Sequence, residues 1–267
     1  MKLQLLRNAT LKLEYAGKTI LIDPDFGSKH SRPSFTGRSP NPMVELPVST
    51  DEILAGVELV IVSHLHADHF DKVAQELVPK HLPLICQPGD EEKIRSFGFT
   101  DVTPLTERLT YEGIRLTRRD GNHGSGPVLE KMGNVIGLTI EADGEPSIYW
   151  AGDTILYPPV RETIATFAPD IIITHSCGAK WDDLLIVMDA EQTIEICRIA
   201  PEDTRIIATH MEALEITRPF PAMICRPMRT PMTSLSISCL FPATARFSTS
   251  PPRTHEINNA KNLCFCR

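Results

Sequence analysis

The chain lacks any uninterrupted apolar run near the ~20 residues that a membrane helix needs, so no spanning segment and no membrane partner are expected. It also lacks an excess of positive charge. The formal net charge is −7, which argues against nucleic acid as a main partner, because phosphate backbones demand clustered Lys and Arg. No cleavage-site pattern follows the brief apolar stretch at Met1-Lys2-Leu3-Gln4-Leu5-Leu6, which fits a first strand better, and the expected location is cytoplasmic. No internal repeat stands out. No two cysteine pairs have zinc-like spacing, and Cys264-Phe265-Cys266 is too tight for an ordinary pair. Cys86, Cys177 and Cys197 read as buried thiols in a reducing compartment. What is present suffices for a core: apolar residues make up 42% of 267 positions, enough for one large α/β domain or two small ones.

One run is far denser in chemistry than packing requires. His64-Leu65-His66-Ala67-Asp68-His69 follows the strand-like Val57 to Val62 and holds three imidazoles and a carboxylate in six residues. Neutral imidazole nitrogens and carboxylate oxygens suit zinc and similar divalent metals. In extended chain His64 and His66 point to one side and can grip one ion together. Asp68 and His69 point away from that pair once the chain turns, towards a second ion. The run reads as half of a two-metal site, with a single three-ligand metal as its rival.

Further ligand types sit where apolar segments end. His123 lies in a glycine-flanked loop after Ile114 to Thr117, Asp153 follows the strand-like Ser147 to Ala151, and His210 closes the run Arg205 to Thr209. The ends of strands are where open α/β architectures build their sites.

In this order the chain resembles the metallo-β-lactamase-fold hydrolases. The pattern HxHxDH, then His, then Asp after a strand, then His, runs from His64 to His210, and the opening NATLKLEYAGKTILIDPD is similar to that superfamily's first strands. The segments HGSGPV and MDAEQT resemble its ascorbate-6-phosphate lactonase-like branch. The resemblance implies that His64, His66 and His123 hold one metal, that Asp68, His69 and His210 hold another, and that Asp153 bridges both. Two divalent ions are implied, zinc foremost with manganese or iron as alternatives. They would share a hydroxide that attacks a small ester, lactone or phosphate-bearing substrate, anionic ones included. Asp68 and Asp153 are the catalytic carboxylates of that scheme, Asp68 orienting the nucleophile or moving its proton. Asp23 would hydrogen-bond the ligand loop and fix a tautomer. His175, at the end of Asp170 to Thr174, points towards the same rim and reads first as a satisfied loop histidine, with a pocket residue or acid as the lesser reading. Asp189 sits at an expected helix start, where Asp is a favoured cap, with ligand contact as the lesser reading. His30, His81 and His255 read as surface residues.

Strands alternating with helices predict an αββα sandwich of two mixed sheets over residues 1–214. Residues 27–50, rich in Ser, Pro and Gly, read as a long loop beside the site, of the kind that forms lids or mobile segments. Residues 215–267 break the pattern. From Arg218 onward there are seven prolines and four of the seven cysteines, Cys225 among them, and residues 211–267 carry a net +4 against −11 for residues 1–210. Such proline density prevents sustained helix. Synonymous codons for Met223 to Pro251 allow a neighbouring frame with a helix-like pattern and a closing strand, so the tail is read as a frameshift product, loosely ordered. Two other functions compete with the hydrolase: a phosphodiesterase or nuclease of the same fold, and a metal-binding protein whose altered tail leaves it without turnover. Oligomeric state is not encoded in any readable pattern.

Overall fold

The computed structural model describes residues 1–34, 39–211 and 213–214, and the backbones of two short strands at 237–239 and 264–266. The first half builds β1 (Lys2–Arg7), β2 (Thr10–Tyr15), β3 (Lys18–Ile22), α1 (Thr50–Leu54), β4 (Leu59–Val62), α2 (Lys72–Leu77), β5 (Leu84–Cys86), α3 (Glu91–Ser96) and β6 (Val102–Pro104). The second half runs through β7 (Arg108–Tyr111), β8 (Ile114–Gly121), α4 (Val128–Met132), β9 (Val135–Glu141), β10 (Ile148–Trp150), α5 (Pro158–Phe167) and β11 (Ile171–His175). It continues with β12 (Lys180–Trp181), β13 (Leu184–Leu185), α6 (Ala190–Ile199), β14 (Arg205–Thr209), β15 (Ile237–Cys239) and β16 (Cys264–Cys266).

One sheet has six strands in the order β1-β2-β3-β4-β5-β6, and the other eight in the order β15-β16-β14-β11-β10-β9-β8-β7. Both mix parallel and antiparallel pairs. Side chains alternate across each strand, and in the central strands β4, β5 and β10 both faces are buried, so these read as continuous apolar runs. Ile20, Ile22, Leu59 and Ile61 of one sheet meet Ile148, Trp150, Ile171, Ile173 and Ile207 of the other in a shared core. The alternate residues Leu21, Val60 and Val62 face outward onto Ile53 of α1, Ala74 of α2 and Ile94 of α3. On the opposite side Tyr149, Ile172 and Ile206 pack on Val160 and Ile164 of α5 and Ile196 of α6. The layers are therefore helix, sheet, sheet, helix, as the sequence pattern predicts. Each such side chain contributes roughly 1.5–3 kcal/mol on burial. Among the described residues no helix is long and apolar enough to cross a membrane.

The caps are local and legible. Asp71 accepts from Ala74 N at 2.8 Å to start α2, and Ser49 accepts from Glu52 N at 3.2 Å to start α1. Several short elements escape the sequence reading: α1, α4, β6, β7 and the β12–β13 hairpin. β8 also runs three residues past the expected Arg118, because Gly121 still pairs with Val135 across the sheet.

Residues 27–50 differ from the expected lid. Arg32 pairs with Asn41 through two backbone hydrogen bonds, His30 N donates to Pro42 O at 2.8 Å, and Met43 N donates to Ala213 O at 2.7 Å. Two guanidiniums anchor the start of the segment. Arg32 grips Asp25 through bonds of 2.8 and 2.7 Å, and Arg7 donates to Asp25 O at 2.7 Å, with both Arg7 and Asp25 side chains fully buried. The described part is thus a fastened strap, and its tip at 35–38 lies outside the described residues.

Of the three body cysteines only Cys86 is buried, whereas Cys177 and Cys197 are half-buried. They flank packed elements as small side chains, without the full enclosure that the sequence suggested. The readings of Cys225, of the cysteine side chains at 239, 264 and 266, of His255 and of the frameshifted, loosely ordered tail fall outside the described residues. Within 215–267 the two described strands extend the larger sheet, β16 pairing antiparallel with β14 and β15 with β16.

Replacing Asp25 with Ala strands the buried Arg7 guanidinium beside a second one. Breaking a buried pair from one side costs about 3–5 kcal/mol. We expect Asp25→Ala to lower the urea midpoint accordingly, and Arg32→Ala, at the partly exposed end of the network, to lower it by clearly less.

Candidate metal centre

Every proposed ligand lies just beyond the C-terminal end of a strand: Ser63 to His69 after β4, His123 after β8, Asp153 after β10, and His210 after β14. Strands β10, β11 and β14 run parallel and in register, with Trp150 beside Ile173 and His175 beside Thr209. They carry Asp153, His175 and His210 to one place. The turns there are tight. Gly152 has φ +68°, and a Cβ on it would meet Ile136 O at 2.8 Å, so only glycine permits the chain to turn Asp153 inward. Asn8, Asp23 and His210 themselves take positive φ, 53°, 47° and 60°, a region that Asn, Asp and His tolerate better than other side chains.

The donors form two neighbouring groups. Ligand atoms of His64, His66 and His123 lie within 4.8 Å of one another, and so do those of His69, Asp153, His175 and His210. Asp68 belongs beside the latter, its Oδ2 3.1 Å from His210 Nε2 and 3.7 Å from His69 Nε2. Asp153 stands between the groups, Oδ2 being 3.2 Å from His69 Nε2 and 3.6 Å from His123 Nε2. His210 Nε2 is 3.3 Å from His69 Nε2 and 3.6 Å from Asp153 Oδ1.

These spacings test whether a cation fits. Four ligands at about 2.0–2.2 Å from a tetrahedral ion lie roughly 3.3–3.6 Å from one another. Five separations among donor atoms of Asp68, His69, Asp153 and His210 run from 3.1 to 3.7 Å, with Asp153 presenting Oδ2 to His69 and Oδ1 to His210. In the other group His64 Nε2 is buried with no hydrogen-bond partner among the described residues, a cost that an ion, a ligand or a water relieves. The residues present fit divalent metal.

The surroundings fix the ligands' orientation. Asp23 Oδ2 sits 2.7 Å from His69 Nδ1 and accepts from Ser63 Oγ at 2.8 Å, while Oδ1 accepts from Ser63 N at 2.7 Å. His69 therefore carries its proton on Nδ1 and offers Nε2 to the site. His123 does the same by donating from Nδ1 to Ile186 O at 2.9 Å. Ser63 Oγ also touches His64 Nδ1 at 2.9 Å.

Electrostatics point the same way. Burial pushes Asp68 and Asp153 up, but neighbouring imidazoles, His69 and His210 among them, outweigh it and hold both carboxylates well below their usual range. In return, and against burial, the carboxylates raise His69 to about 10 and His210 well above its ordinary value. Burial and like-charged neighbours lower His64 and His66, and burial lowers His175 to about 4 despite Asp153. Without metal the site thus balances buried carboxylates with protonated imidazoles, protons that a cation displaces.

All seven sequence-proposed ligands converge here, and Asp23 occupies the supporting position foreseen for it. His175 is not at a pocket wall: it is fully buried behind Asp153, with Nδ1 2.5 Å from Oδ1. Asp189 stands apart from both donor groups. Its carboxylate accepts from Gln192 N at 3.0 Å as the cap of α6, so the lesser, ligand-contact reading gives way to the cap. His30 and His81 are exposed. Asn8 was missed: its Nδ2 lies 3.4 Å from both Asp68 O and Oδ2, and its carbonyl accepts from His210 N at 3.3 Å. No local signal marks such a contact, because its partners lie 60 residues and more away.

The comparisons agree with this geometry. The family model for the Beta-lactamase superfamily domain matches residues 18–211, and the chain belongs to that family of metallo-β-lactamase-fold proteins. It is similar to the UPF0173 protein YddR of Bacillus subtilis (strain 168), 39% identical over 221 residues, which span 80% of this chain and 87% of that one. A UPF0173 metal-dependent hydrolase of Xanthobacter autotrophicus is 25% identical over 183 residues, 64% of this chain and 70% of its own. Among solved structures, a possible metal-dependent hydrolase from Veillonella parvula DSM 2008 has TM-score 0.77 at 35% identity, over 80% of this chain and 87% of that one. An isothiocyanate hydrolase from Delia radicum gut bacteria has TM-score 0.76 at 34% identity, over 80% and 86% of the two chains.

Metal binding should release protons. Loading the chelator-stripped protein at pH 7 is expected to release about two protons per chain, from His69 and His210, read by calorimetry in buffers of different ionisation enthalpy. Affinity should fall as pH drops, because each proton then competes with the ion. Loading without proton release would contradict this charge balance.

Proposed function

We propose that the protein is a dinuclear metal hydrolase that adds water to a small organic electrophile, a carbon bonded to heteroatoms as in an isothiocyanate, ester or lactone. The observation that carries this reading is Asp153, whose Oδ2 faces His69 at 3.2 Å and His123 at 3.6 Å and so joins the two donor groups into one centre. A pair of divalent ions bound there, zinc foremost and manganese or iron as alternatives, supplies a water acidified towards pH 7 and polarises the electrophile.

The chain's own residues supply the rest. Asp68 turns Oδ2 towards the donor group, 3.1 Å from His210 Nε2, and its other oxygen orients the attacking water and takes its proton. Ser63 and Asp23 keep the histidine loop in one orientation. His66 and Ala67 are the less buried part of that loop, the side from which substrate approaches. Beside His123 lies an apolar cluster of Val128, Ala179, Ile186 and Val187, with Trp181 and Cys177 packed against it. The isothiocyanate hydrolase among the similar structures supports the same substrate class, whereas lactonase-like specificity rests on short sequence segments alone. An acidic chain also speaks against a polynucleotide, and a small-molecule substrate without macromolecular partner fits the cytoplasmic setting proposed from the sequence.

Metal analysis combined with a substrate panel tests the proposal. We expect about two ions per chain and turnover of isothiocyanates, esters or lactones, with Asp68→Ala lowering kcat by about 10²–10⁴-fold, the span of general acid–base catalysis. Loss of turnover on chelation should be restored by adding zinc, manganese or iron. Two bound ions with no activity on the panel would favour a binding protein without turnover, and activity confined to phosphodiesters would favour the nuclease-like alternative.

A further inference from the structure

Asp153 is the residue on which both donor groups depend, yet a carboxylate on a loop can rotate and offer either oxygen. The structure restrains it from behind. His175 ends β11 beside β10, which delivers Asp153, and beside β14, which delivers His210. Its Nδ1 lies 2.5 Å from Asp153 Oδ1, and both side chains are buried. The ring is itself held on two sides. It stacks on His210 with centroids 4.9 Å apart and planes at 29°, and meets the Trp150 ring edge-on at 5.2 Å. Its Nε2 is buried without a hydrogen-bond partner among the described residues. An orphaned lone pair there costs less than an orphaned N–H, so the proton belongs on Nδ1, facing Asp153.

Resting on the two-ion reading above, we infer that His175 is a positioning residue: it donates from Nδ1 to Asp153 Oδ1 and leaves Oδ2 to face both donor groups. The distances divide accordingly. Oδ2 is the atom near His69 and His123, at 3.2 and 3.6 Å, while Oδ1 lies against His175 at 2.5 Å and farther, at 3.6 Å, from His210 Nε2. A rival role exists for the same nitrogen, because His175 lies within 4.8 Å of the other donors in its group and could itself ligate. The contacts favour positioning: His175 Nδ1 is engaged by Asp153 Oδ1 at 2.5 Å, and Asp68, His69, Asp153 and His210 supply four donors without it.

Three substitutions separate the roles. Asn places an amide N–H near the position of an imidazole Nδ1–H but is a poor metal ligand. Phe keeps the ring and its packing without the donor, and Ala removes both. Metal affinity is read by competition with a chromophoric chelator, so no activity is needed. We expect His175→Phe and His175→Ala to weaken the second metal equivalent by about 10–100-fold, the usual effect of losing a group that orients a ligand. His175→Asn should stay within a few-fold of wild type. Wild-type affinity in His175→Phe would overturn the inference by showing that only packing matters. An Asn variant as weak as Phe would overturn it in favour of direct ligation. Failure of the wild-type chain to take up two ions would instead sink the dinuclear reading, an outcome visible before any variant is made.

Discussion

Two carboxylates, Asp68 and Asp153, are buried at the junction of two sheets among a crowd of imidazoles. Negative charge taken out of water must be compensated on the spot, and the protein does so with His69 and His210, whose elevated affinity for protons mirrors the depressed affinity of the aspartates. Much of the remaining architecture serves that balance. Asp23 and Ser63 brace His69, the Ile186 carbonyl braces His123, and Asn8 touches Asp68 while receiving the backbone of His210. A site so arranged is a vessel for cations before it is anything else.

The sandwich explains why such a costly cluster is tolerated. Strands buried on both faces are rigid, and their ends are fixed by cores on either side. Loops that leave those ends carry the polar groups, so rigidity is separated from chemistry by only a residue or two. Gly152 shows how narrow the tolerance is, since the turn that brings in Asp153 leaves no space for a single methyl.

Sequence legibility followed locality. The HxHxDH run declares itself because its donors are close in the chain, and the double-sided burial of β4 and β10, and of residues 171–173 in β11 and 206–208 in β14, is written in their apolar residues. Asp189 was ambiguous because aspartate serves equally well as cap and as ligand, and only its 3.0 Å bond to Gln192 N decides. His175 was legible as a polar residue at a strand end but not in its contacts, and Asn8 was missed, because the contacts of both are made to residues far along the chain. The strap from residue 27 to 50 looked loose because proline and glycine punctuate it. Its fastenings, to Asp25 and to Ala213, lie at its ends and far along the chain.

The hydrogen bond from His210 N to Asn8 O joins a turn made almost first by the ribosome to a ligand made some two hundred residues later. During vectorial synthesis the early histidines emerge long before their last partner, so the nascent chain can offer only an incomplete nest to passing ions. The donor group that contains His210 is thereby complete only once the segment around β14 has been made. Any lesion that delays or displaces the segment around β14 would be felt as a failure of maturation rather than as a simple loss of one ligand.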